Sequence, residues 1–218
     1  MGGRGASSSL TKKTSVEKIL DDIKTINPNY STGERKWKEN CQSCTLAFIL
    51  REKGENVEAI GNTTGWYYDN SGNKFTIMDA FNNNPAKWYY IVGQRRFDNE
   101  SNAREYARST SFTHIYRMQV TEKSIFTNSS DAIEDEVRKW GSGASGFIKV
   151  QWKGNQGGHV FNIKNINGDV VAIDAQNGKV KDLKQTLTRV KPQYTFITRT
   201  DNLKVKENVK KYMVKGAK

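Results

Sequence analysis

An α+β domain, with helices first and a largely antiparallel sheet after them, is the fold class this sequence predicts. Helical hydrophobic spacing dominates the first fifty residues, and short alternating segments joined by Gly- and Asn-rich turns follow residue 112. At 218 residues, with 35% hydrophobic and 11% aromatic side chains, the chain is long enough to bury one substantial core. No apolar run approaches the roughly 18 residues of a membrane span. The N-terminus lacks the apolar centre of a classical signal peptide, so export, if it occurs, is expected by another route.

Met1 to Ser9 is Gly- and Ser-rich and reads as a linker. The expected division is a flexible linker over 1–13, a folded domain over 14–200 and a basic C-terminal helix or tail over 201–218. Thr14-Ser15-Val16-Glu17 fits a capping box, and Val16, Ile19, Leu20, Ile23 and Ile26 follow at helical spacing. Asn27-Pro28-Asn29 ends that helix. The second helix runs from about Cys41 to Lys53 and is apolar nearly all round through Leu46, Ala47, Phe48, Ile49 and Leu50. Arg51 and Lys53 sit in its last turn and Gly54 closes it. Such a helix belongs inside the domain.

The segment from Gly61 to Asn102 is rich in Asn, Gly and aromatics and reads as loops with short strands, its aromatic residues contributing mainly to the core. Phe112 to Val120 alternates as a strand does. Asp131 to Trp140 is a short helix with Ile133, Val137 and Trp140 inward, stopped by Gly141-Ser142-Gly143. Strands are expected over Phe147–Trp152, Val160–Lys164, Val170–Ile173 and Tyr194–Thr198. Leu203 to Val214 has the spacing of a basic amphipathic helix.

The formal charge is +12, from 35 Lys and Arg against 23 Asp and Glu. Basic residues are spread along the chain, with a local excess only at Lys204, Lys206, Lys210, Lys211, Lys215 and Lys218. A solvated basic surface accounts for that spread, and nucleic acid is the weaker alternative. The only cysteines, Cys41 and Cys44, stand C-x-x-C at the start of the second helix. A second ligand pair for zinc is lacking, because His114 and His159 are far apart, so no metal or other cofactor is expected. A thioredoxin-type redox pair follows a strand, whereas a charged stretch from Gly33 to Glu39 precedes this one. What remains is a nucleophile: a helix N-terminus favours the thiolate, which needs a base.

Asn167-Gly168 between two alternating segments is a strong hairpin signal. A two-residue turn there sets position i opposite position 335 − i, so His159 faces Gln176 and Phe161 faces Asp174. His159, Asp174 and Gln176 then share one face, with Asp174 diagonal to His159, where a carboxylate can orient an imidazole. A cysteine helix followed by a His-then-Asp hairpin is the chain order of a papain-type core. Gly157-Gly158 leave room for close approach beside His159.

These residues resemble a known family. Asn40-Cys41-Gln42-Ser43-Cys44 with Ala47-Phe48 is similar to the nucleophile helix of the papain-fold toxin family. Gly158-His159-Val160-Phe161-Asn162 and Asp174-Ala175-Gln176-Asn177-Gly178 resemble its G-H-V-F-N and D-x-Q-x-G motifs, and Trp140 to Trp152 resembles the region before its histidine. The resemblance covers about Asn27 to Tyr194. It implies a papain-like fold in which the nucleophile helix packs against the sheet carrying His and Asp. It also implies a cysteine hydrolase of protein amides, a glutamine deamidase or else a cysteine peptidase. Members occur as toxin modules of bacterial polymorphic toxins and of phage minor head proteins, and Gly2 to Ser8 resembles a linker of the latter. The implied partners are a target-cell protein substrate and a cognate immunity protein. The implied place of action is the target-cell cytosol, or association with a phage virion.

The expected triad is Cys41, His159 and Asp174. Asn40 as N-cap would set Cys41 at the first helical position, where free N–H groups and the helix dipole act most strongly. Cys44 is the alternative nucleophile, since the papain signature C-G-S-C-W-A-F aligns Cys44 with the reactive position. No glutamine stands six residues before either cysteine, those positions being Arg35 and Lys38. The oxyanion donor is therefore expected among helix-start N–H groups with Asn40, and Gln176 or Trp152 at the rim. Two readings of other classes stand beside this one. One is a non-catalytic basic domain binding nucleic acid or a virion, and the other a degenerate papain fold serving only to bind protein.

Overall fold

The computed structural model describes residues 16–82, 86–121 and 124–216. The capping box at Thr14 and the linker over 1–13 lie outside them. Residues 16–26 form α1, which buries Ile19, Ile23 and Ile26. It gives way at Asn27 to a single 3-10 turn, Pro28–Thr32, because Pro28 has no N–H to continue the ladder. After a short α2 (Arg35–Lys38), α3 (Cys41–Glu52) buries every residue from Ser43 to Leu50. Its end follows the glycine signal: Gly54 adopts φ 89°, and the N–H groups of Gly54 and Glu55 return to the carbonyls of Arg51 and Leu50.

The chain continues through β1 (Val57–Ala59), β2 (Tyr67–Tyr68), β3 (Lys74–Phe75), β4 (Lys87–Val92) and β5 (Arg95–Phe97). Then come α4 (Glu100–Ser109), β6 (Tyr116–Val120), β7 (Ile125–Phe126), α5 (Ser130–Lys139) and β8 (Ser145–Gln151). The last third contains β9 (Gly158–Ile166), β10 (Asp169–Asp174), β11 (Lys179–Lys181), α6 (Leu183–Leu187), β12 (Phe196–Arg199), α7 (Glu207–Lys210) and β13 (Val214–Gly216). The principal sheet is antiparallel, ordered β11-β10-β9-β8-β12-β7. A smaller sheet, β5-β4-β6, carries α4 on Val92, Ala103 and Ala107.

The principal sheet is covered on both faces, and strand alternation allocates its side chains. Val160, Phe147, Ile173 and Phe196 pack with α1 and α3, while Phe161, Ile163, Ile148, Val150 and Ala172 pack with α5 and α6. Strands β8 and β12 approach closely at Gly146, where an added Cβ would lie 2.2 Å from the Thr198 carbonyl oxygen. The antiparallel α+β expectation is met.

Three local expectations are corrected. Helix α4 begins inside the segment read as loops with short strands and continues through residues for which no element was expected; Asn99 caps it by accepting from the Asn102 N–H, and Glu100 pairs with Arg104. The strand expected from Phe112 begins only at Tyr116, since Ser111 adopts φ 59° and Phe112 is exposed. Residues 203–214 do not form one amphipathic helix. Only Glu207–Lys210 is helical, and Val214–Gly216 pairs antiparallel with β1, burying Met213 and Val214 in the core. The aromatic residues of the middle segment divide: Tyr67 and Tyr89 are buried, whereas Tyr68 and Trp88 are half exposed.

Candidate active site

The Asn167-Gly168 turn forms as its sequence dictates, with φ 53° and 94°, and sets the register. Asp169 pairs with Ile166 and the ladder runs to Ile173 opposite Asn162, each pair summing to 335. At its far end His159 Nε2 meets Asp174 Oδ2 at 2.9 Å. The diagonal placement read from the hairpin therefore brings those two side chains together. Beyond Ile173 the ladder with β9 stops, and after Asp174 the chain turns into β11. Gln176 accordingly does not face His159, which corrects that part of the register argument.

Helix α3, with Cys41 as its first residue, packs against the strand that carries the same imidazole. Thr45 Oγ donates to the Val160 carbonyl at 3.2 Å and Asn162 Nδ2 donates to the Thr45 carbonyl at 3.2 Å, fastening the helix across the start of β9. Cys41 adds to the proton affinity of His159, through a hydrogen bond and its charge, after the larger contribution of Asp174. Cys44, one turn on, is buried at 1% exposure among core side chains. Burial pushes its thiol well up, and the charges of Cys41 and Asp174 push it further.

The electrostatics favour a protonated imidazole. Burial of His159 opposes the charged ring, but the hydrogen bonds it donates to Asp174 and Cys41, with the charge on those groups, outweigh it and raise the pKa to about 9. Burial works against the Asp174 carboxylate too, yet His159 and Lys181 hold its pKa below the usual value. Asp174 is saturated with partners. Oδ2 also receives Lys181 Nζ at 3.0 Å and Asn177 Nδ2 at 2.9 Å, and Oδ1 receives the Gln176 N–H at 3.2 Å. Trp152 stacks on His159 with ring centroids 6.2 Å apart and planes at 21°, shielding one side of the imidazole.

Asn40 and Gln176 occupy other places than the rim. Both are buried, and their amides meet each other, Gln176 Nε2 donating to Asn40 Oδ1 at 3.4 Å. Asn40 precedes α3, but its side chain does not cap it, because Oδ1 is taken by other amides. The first intrahelical bond runs from the Cys44 N–H to the Asn40 carbonyl at 3.1 Å, so the amides of Cys41 and Gln42 lie ahead of the ladder. Lys181, Asn177 and Asn27 were not anticipated. A second Asn-Gly pair, Asn177-Gly178, was the available signal for the β10–β11 hairpin. Its register sets Asp174 opposite Lys179 and therefore diagonal to Lys181. Among the described residues no group of three or more His, Cys, Asp or Glu side chains is arranged to hold a metal, and no helix is long and apolar enough to cross a membrane.

A family model described as papain fold toxin 1, glutamine deamidase, matches residues 39–179. That span runs from the residue before Asn40 to the first residue of β11, and so takes in α3, β9 and β10. No match is found among curated proteins or solved structures. The α+β architecture described above, with α3 packed on the antiparallel sheet that carries His159 and Asp174, is therefore papain-like.

Proposed function

The chain belongs to the papain fold toxin 1, glutamine deamidase family, and from that premise we propose that it hydrolyses glutamine side chains of a target-cell protein, with Cys41 as nucleophile, His159 as acid and base, and Asp174 orienting His159. The observation that carries this reading is the pairing of His159 with the buried Asp174 carboxylate, Nε2 to Oδ2 at 2.9 Å, with His159 on the strand to which the Cys41 helix is fastened.

In the first half-reaction Cys41, its proton passed to His159, attacks as thiolate: the sulfur forms a bond to the carboxamide carbon, and the carbonyl π pair moves to oxygen. The amides of Cys41 and Gln42, which lie ahead of the α3 ladder, are the donors this reading assigns to that oxygen. Collapse of the tetrahedral species breaks the C–N bond, and the leaving nitrogen takes the His159 proton as ammonia departs. An imidazole with its pKa near 9 carries that proton at neutral pH. In the second half, neutral His159 takes a proton from water as the water oxygen attacks the thioester. The C–S bond breaks and glutamate is released. Trp152 covers the imidazole, and Lys181 balances the Asp174 charge so that His159 is not its only counter-ion.

The reading locates the activity in the target-cell cytosol and calls for an immunity protein in any cell that makes the toxin. Expression of Cys41→Ala and Cys44→Ala chains in sensitive cells tests it. Cys41→Ala is expected to abolish toxicity and Cys44→Ala to retain it. Full toxicity of both variants would refute a cysteine mechanism.

A further inference from the structure

Three amide side chains from distant parts of the chain meet in a buried cluster that the chemistry above does not use. Asn27 and Asn40 form a reciprocal pair, each Nδ2 facing the other's Oδ1 at 3.3 Å. Asn27 Nδ2 also reaches the Trp37 carbonyl at 3.0 Å and the Gln176 carbonyl at 2.9 Å. Asn40 Nδ2 donates to the Ile60 carbonyl at 3.0 Å, and Gln176 Nε2 to Asn40 Oδ1 at 3.4 Å. The three residues are only 4%, 0% and 8% exposed.

Burying three amides in one place is costly unless each is hydrogen-bonded, and apolar side chains of similar volume would satisfy a core at least as well. What the amides add is geometry. Asn40 is bonded covalently to Cys41. The Gln176 backbone N–H holds Asp174 Oδ1 at 3.2 Å. Asn27, at the end of α1, grips both, through the Asn40 side chain and the Gln176 carbonyl. The cluster thus joins the nucleophile's neighbour to the carboxylate's neighbour by a path that does not pass through His159.

We propose that Asn27, Asn40 and Gln176 are positioning residues: a buried amide clasp fixing the start of α3 against the loop after β10, and so setting the approach of Cys41 to His159. The proposal rests on the Cys41–His159–Asp174 reading above. It assigns the glutamine of the D-x-Q-x-G segment to this clasp and not to the rim.

Alkylation of Cys41 by iodoacetamide, located by peptide mass spectrometry and followed from pH 5 to 10 beside thermal melting, tests it. Gln176→Met withdraws the Nε2 donor at nearly constant volume. It is expected to slow Cys41 alkylation at pH 7 about tenfold, because displacements of about an ångström at a reactive centre carry effects of that size or more. Val92→Ala in β4, in the separate core beneath α4, is the control. It is expected to lower the melting temperature and leave the alkylation profile unchanged. Gln176→Asn, whose shorter amide falls away from Asn40, gives the same comparison should Gln176→Met not fold. A wild-type alkylation profile in a folded Gln176 variant would overturn the clasp. His159→Ala separates the two readings: if it leaves alkylation unchanged, the triad itself fails, whereas failure of the clasp alone leaves the His159 dependence intact.

Discussion

Asp174→Asn tests the electrostatic arrangement around His159 most sharply. The substitution keeps the shape of the side chain but removes the charge that Oδ2 presents to Nε2 at 2.9 Å. Burial already opposes the imidazolium, so without the carboxylate the His159 pKa falls from about 9 towards the ordinary 6.5. At pH 8 a group of pKa about 9 is about 90% protonated, and one of pKa about 6.5 only about 3%. The acid that protonates departing ammonia is then ten- to thirtyfold scarcer at pH 8, while at pH 6 the two proteins differ little. With only two histidines in the chain, NMR titration of the imidazoles in a His114→Ala background reads the value directly. A wild-type midpoint near 9 and an Asp174→Asn midpoint at least about one pH unit lower are expected, since Asp174 supplies the largest raising contribution. Equal midpoints in the two proteins would refute the assignment of Asp174 as the group that holds the His159 proton.

The same groups fix a pH window for stability. His159 is raised on folding, so its contribution of about 3 kcal/mol is complete below about pH 6.5 and lost as pH rises through about 9. Asp174 is lowered, so its contribution is complete above the ordinary carboxylate range and lost as pH falls below it. Urea melts across pH are therefore expected to show a plateau between about pH 4 and 6.5, and His159→Ala is expected to remove the decline on its alkaline side. Cys44→Ala, at a fully buried thiol, is expected to cost about 1 kcal/mol in urea melts and to leave Cys41 alkylation intact. Gly146→Ala forces a Cβ against the Thr198 carbonyl and is expected to destabilise by about 3 kcal/mol, read as a lowered urea midpoint.

Local chemistry was legible in the sequence, and long-range pairing was not. Asn167-Gly168 gave the β9–β10 register, because few residues besides Asn and Gly accept two successive positive φ values. The continuous apolar run from Leu46 to Leu50 placed α3 inside the domain, and its glycine end was read correctly. Helix α4 escaped notice because it buries only two small side chains, Ala103 and Ala107, so its apolar stripe hardly registers. The C-terminal lysines suggested a helical polar face, yet the partner of Val214–Gly216 is β1, more than 150 residues away in sequence. Asn40 looked like a cap because Asn is a good one. Its Oδ1 instead goes to Asn27 and Gln176, whose proximity only the folded chain creates. The carboxylate was legible, but Lys181 was not, because the β10–β11 connection is a four-residue turn over 175–178 and a two-residue reading of Asn177-Gly178 misses its register.

The central claim is that Cys41 converts a glutamine carboxamide of a target-cell protein to a carboxylate. Peptide mass spectrometry of sensitive cells expressing the wild-type chain, compared with cells expressing Cys41→Ala, tests it most directly. The account predicts glutamine peptides that carry the small mass gain of amide-to-acid conversion, with uncut chains, in the wild-type sample alone. New chain ends at matched sites would assign the same three residues to peptide cleavage. Identical peptides in both samples would contradict the account.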